Sequence, residues 1–222
     1  HISPASAIPE DSFIADFLVA RGEDRKDLNV FASRRGNWEV MLRAAFYSRT
    51  LRNLLCPAAP VGHTLHVPSG AVAPIFEVAQ HYRDAGDAVV LVAGERYGTG
   101  SSRDWAAKGQ RLLGVRAVLA LSFERIHRSN LIGMGILPLR LPAGMHPDAL
   151  QLQPGDRLEI DARAGTLQPR CMVPVKLHRA DGSVLAFGAQ AAIETRLECA
   201  LLENGGVIPT ILRQAIAAGA RP

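Results

Sequence analysis

Three short apolar runs separated by helix-like stretches restrict the possible folds of this chain more than any other feature of its sequence. The runs lie at 87–93, 117–121 and 136–141, and runs of this length and apolarity are typical of strands buried on both faces of a sheet. Stretches with helical spacing at 102–113 and 123–133 lie between them. The order strand, helix, strand, helix, strand predicts parallel pairing with right-handed crossovers.

The part of the chain before this core is predicted to be mainly helical. Apolar residues recur at helical spacing over 12–21, 37–47 and 71–84. The polar stretch 29–37 between the first two predicts a loop. Pro68-Ser69-Gly70 stands immediately before the third helix and is typical of a turn.

After residue 150 the pattern changes to that of antiparallel strands. Strands are predicted at 157–160, 172–178 and 183–187, and the last two are joined by a tight turn at Ala180-Asp181-Gly182. The tail, 194–218, predicts two helices divided by Gly205-Gly206. We therefore predict an α/β fold in one domain, 1–222, with a parallel β-α-β core, an antiparallel β appendage and C-terminal helices.

Composition excludes several classes of protein. No apolar run approaches the length that spans a bilayer, and the N-terminal residues lack the pattern of a signal peptide. The net charge of +4 suits anionic small molecules and permits nucleic-acid contact, but ordinary solubility explains it equally well. Cys56, Cys171 and Cys199 are far apart, which predicts three thiols in a reducing compartment, the cytoplasm, and no self-contained metal site.

The segment Gly94 to Trp105, here called the Gly-rich loop, carries the strongest chemical signal. It joins a predicted strand to a predicted helix, where backbone N–H groups without helical partners favour an anion. Gly98 and Gly100 allow a ligand to approach the main chain closely, and Arg103 offers a bidentate fork to a carboxylate or phosphate. The spacing fits neither phosphate loops nor the hydrolase nucleophile elbow. The residues alone therefore predict an anion site at a helix N-terminus, or a plain glycine turn with a serine cap.

Several segments resemble the last domain of the aconitase family, and the resemblance covers essentially the whole chain. They are Tyr97 to Gly109, Phe123 to Leu139, Ser33 to Asn37 and the start, His1 to Ala5. The run Asp-Trp-Ala-Ala-Lys-Gly at 104–109 resembles the branch that contains aconitase A and the iron-regulatory proteins.

The resemblance implies both an activity and residue roles. The family isomerises citrate and isocitrate through cis-aconitate. It uses a four-iron four-sulfur cluster, and the substrate binds to the open iron of that cluster. It implies that Ser101 is the base that removes the substrate's α-proton, and that Ser102 and Arg103 bind a substrate carboxylate. The fold implied is a swivelling domain that closes over the cluster-bearing domains.

A further substrate-binding arginine of the family lies in a segment where this chain departs from the usual pattern. The sequence Ser48-Arg49-Thr50-Leu51-Arg52-Asn53 places Thr50 at the usual arginine position. The resemblance therefore leaves Arg49 and Arg52 as alternatives. The same departure leaves the substrate open between citrate or isocitrate and 2-methylcitrate or 2-methylisocitrate.

Other charged and aromatic residues in these segments are interpreted as structural. His127 and Arg128 are expected to pack or cap, and Tyr97 and Trp105 to pack beneath the loop. Arg34 and Arg35 are expected at a domain interface, with nucleic acid as the alternative.

The cluster ligands of the family lie in other domains, and this chain has no Cys-x-x-Cys pair. The isolated chain is therefore expected to bind no metal and to be inactive. We expect it to be a fragment of a longer enzyme whose partners are a tricarboxylate and the cluster-binding domains. Two alternatives are a separate small subunit like that of isopropylmalate isomerase, and an RNA-binding module without catalysis.

Overall fold

The computed structural model describes residues 2–100, 104–163 and 165–219, and helices and strands are numbered in chain order. The chain forms two compact units. One consists of His1–Asp87 with Gly100–Gly114, and the other of Ala88–Thr99 with Val115–Pro222. The Gly-rich loop therefore begins in the second unit and ends in the first.

The first unit is mainly helical and contains one two-stranded antiparallel sheet. Its elements are α1 (Phe13–Val19), α2 (Trp38–Ala44), β1 (His63–His66), β2 (Ala71–Pro74), α3 (Ile75–Asp84) and α4 (Asp104–Leu112). A 3-10 turn covers Phe31–Arg34. The helices predicted at 12–21 and 37–47 are confirmed, and so is the one predicted at 102–113 from Asp104 onward.

Side-chain caps and an apolar core explain where α1 and α2 form. The hydroxyl of Ser12 accepts a hydrogen bond from the Ala15 N–H at 3.1 Å, and the Asn37 side chain accepts one from the Glu39 N–H at 3.1 Å. Each bond satisfies a donor that the first helical turn leaves without a partner. The helices then bury their apolar faces in one cluster, whose fully buried members include Ile14, Leu18, Phe31 and Val40.

The predicted helix 71–84 is correct only from residue 75, because Ala71–Pro74 form β2. This strand pairs antiparallel with β1, with Val72 opposite Leu65. Gly70 has a φ of +71°, which permits the tight turn between the two strands. A residue that precedes proline is disfavoured in helical geometry, so the helix cannot extend back through Ala73.

The second unit is built on a six-stranded sheet. Its elements are β3 (Val89–Ala93), β4 (Val115–Ala120), α5 (Arg125–Gly133), β5 (Leu137–Arg140), β6 (Arg157–Ile160), β7 (Met172–His178), β8 (Val184–Ala191), α6 (Arg196–Glu203) and α7 (Val207–Gly219). A 3-10 turn covers Pro147–Leu150. All the predicted elements of this region are confirmed. The strand predicted at 183–187 continues to Ala191.

The strand order in this sheet is β3-β4-β5-β8-β7-β6. The first three strands are parallel to one another, and β8, β7 and β6 follow with antiparallel pairings. The predicted parallel core and antiparallel strands are thus confirmed, and the antiparallel strands extend the core sheet through the pairing of β5 with β8. The carboxyl ends of β3, β4 and β5 lie at one edge of the sheet, from which the loops after β3 and β4 leave.

The main apolar cluster of the second unit is built on strands across this sheet. Its fully buried side chains include Leu119, Leu139 and Leu177 on the strands, and Ile193, which follows β8. On α5, Leu131 and Ile132 are also fully buried. Among the described residues, no helix is both long and apolar enough to span a bilayer.

Candidate active site

The Gly-rich loop leaves the carboxyl end of β3 and reaches the first residue of α4. Residues 101–103 lie outside the described part of the chain. The roles predicted for Ser101, Ser102 and Arg103 therefore remain predictions, and the described geometry concerns the two ends of the loop.

The first half of the loop is tied to the segment that follows β4. The Tyr97 N–H donates to the Ser122 carbonyl oxygen at 2.9 Å, and the Glu124 N–H donates to the Tyr97 carbonyl oxygen at 2.9 Å. These bonds make a parallel bridge between Tyr97 and Phe123. The Arg96 N–H adds a bond to the Ser122 hydroxyl at 2.8 Å. Although the bridge lies outside the named strands, it prolongs the pairing of β3 with β4 into the loop.

A tight turn at Arg96–Thr99 redirects the chain after this bridge. Arg96 has a φ of +48° and Gly98 a φ of +91°, both in the left-handed region. The Arg96 carbonyl oxygen accepts bonds from the Thr99 N–H at 3.2 Å and from the Thr99 hydroxyl at 2.7 Å. The turn was expected from the glycines, but its closure by Thr99 was not.

Tyr97 and His127 pack together beneath the turn. Their rings meet edge to face with centroids 5.4 Å apart, and the Tyr97 ring meets Phe123 in the same way at 6.1 Å. His127 is 3% exposed, and burial lowers its pKa to about 4. Burial also raises the pKa of Tyr97 above its usual range. Both groups are therefore neutral at neutral pH, in agreement with the packing role expected of them.

Gly98 lies directly against the imidazole of His127. A Cβ atom added to Gly98 would overlap Cβ, Cγ and Cδ2 of the histidine. Position 98 thus requires glycine for two reasons, its left-handed backbone and its contact with a buried ring.

The far end of the loop is the beginning of α4 in the first unit. Trp105 is 9% exposed, as expected for a packing residue, and the Lys108 ammonium lies 4.4 Å from the centroid of its ring. Gly109 faces Ala45 so closely that an added Cβ would lie 3.2 Å from the alanine methyl group. The helix that follows the loop is therefore packed tightly within its own unit.

Arg49 and Arg52 lie on the exposed segment that follows α2. Neither guanidinium forms a hydrogen bond or ion pair with any residue of the described part of the chain. The segment is held by the bond from the Leu51 N–H to the Ser48 carbonyl oxygen at 3.2 Å, and by the bond from the Asn53 side chain to the Thr64 hydroxyl at 2.8 Å. Both arginines are thus available to a ligand, and the geometry does not choose between them.

Two other arginines are structural. The Arg34 guanidinium bonds both carboxylate oxygens of Glu23, at 2.7 and 2.8 Å, and this contact lowers the pKa of the Glu23 carboxyl. Arg128 is 7% exposed and donates to the Ala192 carbonyl oxygen at 2.9 Å and to Glu198 at 2.8 Å. The expectation that Arg128 packs is confirmed. The pair of Arg34 with Glu23 joins two residues of the first unit.

The three cysteines are unpaired thiols. Among the described residues, no three histidine, cysteine, aspartate or glutamate side chains come close enough to bind a metal ion. The donor set in this part of the chain therefore does not fit an iron–sulfur cluster.

Comparison with known families gives the class of protein to which the chain is related. Residues 14–144 match the family described as the aconitase C-terminal domain. This match covers more than half of the chain and includes the whole Gly-rich loop, and the chain therefore belongs to that family.

The matching relatives are much longer than this chain. It is 45% identical over 216 residues to aconitate hydratase A of Escherichia coli, which is 97% of this chain and 24% of that protein. It is 44% identical over 212 residues to aconitate hydratase A of Thermus thermophilus, covering 96% of this chain and 23% of that protein. The chain thus spans about a quarter of the length of these relatives.

One solved structure, a 3-isopropylmalate dehydratase from Methanocaldococcus jannaschii, is also similar to this chain. The identity is 20%, the TM-score is 0.36, and the match covers 66% of this chain and 82% of that one. A likeness of this size carries no conclusion about function.

Proposed function

We propose that residues 1–222 act as one domain of an aconitate hydratase and complete its active site with the Gly-rich loop. The observation that carries the proposal is the 45% identity to aconitate hydratase A over 97% of the chain, with the family match across the loop. The reaction is the isomerisation of citrate and isocitrate through cis-aconitate, a dehydration followed by a rehydration. The domain needs the rest of such an enzyme for activity.

Ser101 is proposed as the base of this reaction. A carbon next to a carboxylate is weakly acidic, so its deprotonation needs a strong base and fixed positive groups that stabilise the resulting anion. In the proposed step Ser101 acts as an alkoxide: its oxygen takes the proton from the carbon and becomes a hydroxyl. The electron pair of the broken C–H bond stays on that carbon and is shared with the adjacent carboxylate, which the fixed positive groups stabilise. The family resemblance of residues 97–109 supports this assignment.

Ser102 and Arg103 are proposed to bind a substrate carboxylate. An arginine fits a carboxylate edge with two parallel hydrogen bonds, which fixes orientation as well as charge. Arg49 or Arg52 is proposed to bind a second carboxylate, and their exposure without a partner in the described chain supports this role. The substrate class is citrate or isocitrate, with the 2-methyl analogues as the alternative.

The four-iron four-sulfur cluster of the family is proposed to be bound by the other domains of the enzyme, and not by this chain. The family resemblance supports that division, because the cluster ligands of the family lie in other domains. Those domains and the tricarboxylate are the proposed partners, in the cytoplasm. RNA binding is not part of this proposal; of the two arginines considered for it, Arg34 forms an ion pair with Glu23.

A hybrid enzyme tests this proposal. The quarter of Escherichia coli aconitate hydratase A that matches this chain is replaced by residues 1–222, and the product, here called the hybrid enzyme, is assayed on citrate, isocitrate and 2-methylcitrate. We expect turnover of citrate and isocitrate, and none from the E. coli portion alone. A folded, cluster-loaded hybrid that turns over none of them would refute the proposal, and activity on 2-methylcitrate alone would favour the alternative substrate.

A further inference from the structure

Gly98 and His127 are in close contact in the described half of the Gly-rich loop. The glycine lies in the left-handed region and leaves no room for a Cβ atom against the imidazole. A ring at this point therefore limits how near to α5 the loop can come. The two hydrogen bonds between Tyr97 and the segment 122–124 limit how far away it can move.

His127 is itself held firmly by its surroundings. It lies on α5, where Leu131 and Ile132, four and five residues further on, are fully buried. The next residue, Arg128, ties α5 to the Ala192 carbonyl oxygen and to Glu198 on α6. The ring of Tyr97 covers the imidazole from the loop side. A side chain fixed in this way can hold the loop at a defined position.

We propose that His127 is a positioning residue for the catalytic base: its buried ring sets the path of the loop at Gly98 and so limits where Ser101 can lie. The inference rests on the proposed function, because it presumes that Ser101 is the base. It assigns to His127 a role in the reaction in addition to its packing, without any contact with the substrate.

The covalent chain explains how the contact can matter. Ser101 follows Gly98 by three residues, and three residues reach at most about 10 Å. A change in the position or direction of Gly98 is therefore transmitted over a very short length of chain. Because a misplacement of about 1 Å in a reacting group can cost about 100-fold in rate, a small movement of the loop is enough to be measured.

The neutral state of His127 agrees with this role. Burial keeps the ring uncharged at neutral pH, and an uncharged ring packs against a glycine and a tyrosine without burying a charge. At Gly98 the loop contacts this ring, so a substitution that keeps an aromatic ring should support the loop. We therefore expect phenylalanine to replace His127 better than alanine.

Alanine substitutions at positions 98 and 127 test the contact in the hybrid enzyme. Gly98→Ala and His127→Ala are compared with Gly144→Ala. Gly144 has a φ of +81° and no atom within 4 Å of an added Cβ, so it controls for backbone strain without a clash. We expect kcat to fall by about 100-fold in Gly98→Ala and about tenfold in His127→Ala. Gly144→Ala should keep the kcat of the parent.

The deuterium isotope effect on kcat separates positioning from mere stability. A misplaced base makes proton removal slower, so the isotope effect for the transferred substrate hydrogen should rise in His127→Ala, while KM changes by a few fold at most. His127→Phe should restore kcat to within a few fold of the parent. The proposal fails if, at equal cluster content, the folded His127→Ala variant keeps the parent's kcat and isotope effect, or if His127→Phe is as slow as His127→Ala.

Hydrogen exchange in the 222-residue chain keeps the two proposals distinguishable. If the hybrid enzyme is inactive before any variant is made, the proposed function fails. The contact is still tested by the exchange rates of the Tyr97 and Thr99 amides. We expect these amides to exchange at least about tenfold faster in His127→Ala and at the parent's rate in Gly144→Ala. Unchanged rates in His127→Ala would overturn the inference by showing that the ring does not hold the loop.

Discussion

The Gly-rich loop and the segment that carries Arg49 and Arg52 are held in different ways. The first half of the loop has its backbone bonded to residues 122–124 and its Gly98 pressed against a buried ring. The segment 48–53 has mostly local bonds, and its arginines are exposed. The path of the loop therefore depends on distant parts of the sequence. The arginine segment, by contrast, can change its side chains without disturbing a core.

This difference orders the expected effects of mutation. Substitutions beneath the loop should lower both the stability and the rate, because the residues that hold the loop also pack in the second unit. Substitutions of Arg49 and Arg52 should affect only substrate binding.

Arg128 offers the largest effect on stability. Arg128→Ala removes a buried guanidinium and leaves Glu198 and the Ala192 carbonyl oxygen without it. Loss of one partner of a buried pair should lower the free energy of unfolding of the chain by about 3 kcal/mol. Arg163→Ala is the control, since Arg163 pairs with Asp161 on the surface and its loss should cost at most about 1 kcal/mol. If urea denaturation shows equal losses of unfolding free energy in the two variants, the buried Arg128 pair stabilises the fold no more than a surface pair.

The buried His127 should make the free energy of unfolding of the chain depend on pH. Its folded pKa of about 4 lies below the ordinary value of 6.5, so the unfolded chain binds a proton more readily between these values. The stabilisation is complete above about pH 6.5 and is lost as the pH falls towards 4. It amounts to at most about 3.4 kcal/mol, from a shift of about 2.5 at 1.36 kcal/mol per pKa unit. His127→Phe should remove this part of the slope in denaturation measured from pH 4 to 7, and an identical slope in both proteins would contradict the prediction.

Much of the fold that surrounds the loop is predictable from sequence. The strands β6 and β7 begin and end where their residue patterns indicate, and the parallel order of β3, β4 and β5 follows from the alternation of strands and helices. The hairpin of β1 and β2 was not predicted. Val72 fits a helical stripe as well as a strand, and the choice is made by Pro74 and the turn at Gly70.

The support of the candidate site is less predictable for a physical reason. Glycines and a strand-to-helix junction are local features, and they identify the loop directly. The bond from Arg96 to Ser122 and the contact of Gly98 with His127 join residues 26 and 29 positions apart, and no local pattern encodes them. His127 was expected to pack, but its partner in the loop became visible only in three dimensions.

Ser101→Ala should give the largest loss of rate in the hybrid enzyme. Removal of a general base should lower kcat by at least ~100-fold. Because Ser102 and Arg103 still bind the carboxylate, KM should change much less. Ser183→Ala, in the exposed turn between β7 and β8, is the control and should be unaltered. A Ser101→Ala enzyme within a few fold of the parent would make Ser101 a helix cap and not the base.

Arg103→Lys should have a smaller effect that depends on geometry. Lysine keeps the charge and loses the bidentate fork, and charge-assisted hydrogen bonds contribute roughly 1.5–3 kcal/mol each. We expect kcat/KM to fall by about 10- to 100-fold with an unchanged melting temperature. A lower melting temperature with full efficiency would instead indicate a structural ion pair.

Arg49→Ala and Arg52→Ala should give the smallest effects and decide between the two arginines. Neither guanidinium contacts a carboxylate in the described chain, so each variant should change the free energy of unfolding by less than about 0.5 kcal/mol. The arginine that binds the second substrate carboxylate should raise KM about tenfold when removed, which corresponds to about 1.4 kcal/mol. The other should leave KM unchanged.

Thr50→Arg sharpens this last test because it places an arginine between the two candidates. Added to the variant with the higher KM, it should recover part of the lost affinity if the segment as a whole faces the substrate. Added to the parent, it should lower the KM for citrate and for 2-methylcitrate alike, since both substrates carry three carboxylates. If neither alanine variant alters KM and Thr50→Arg lowers neither KM, the segment does not contact the substrate, and its exposed arginines are solvated surface residues.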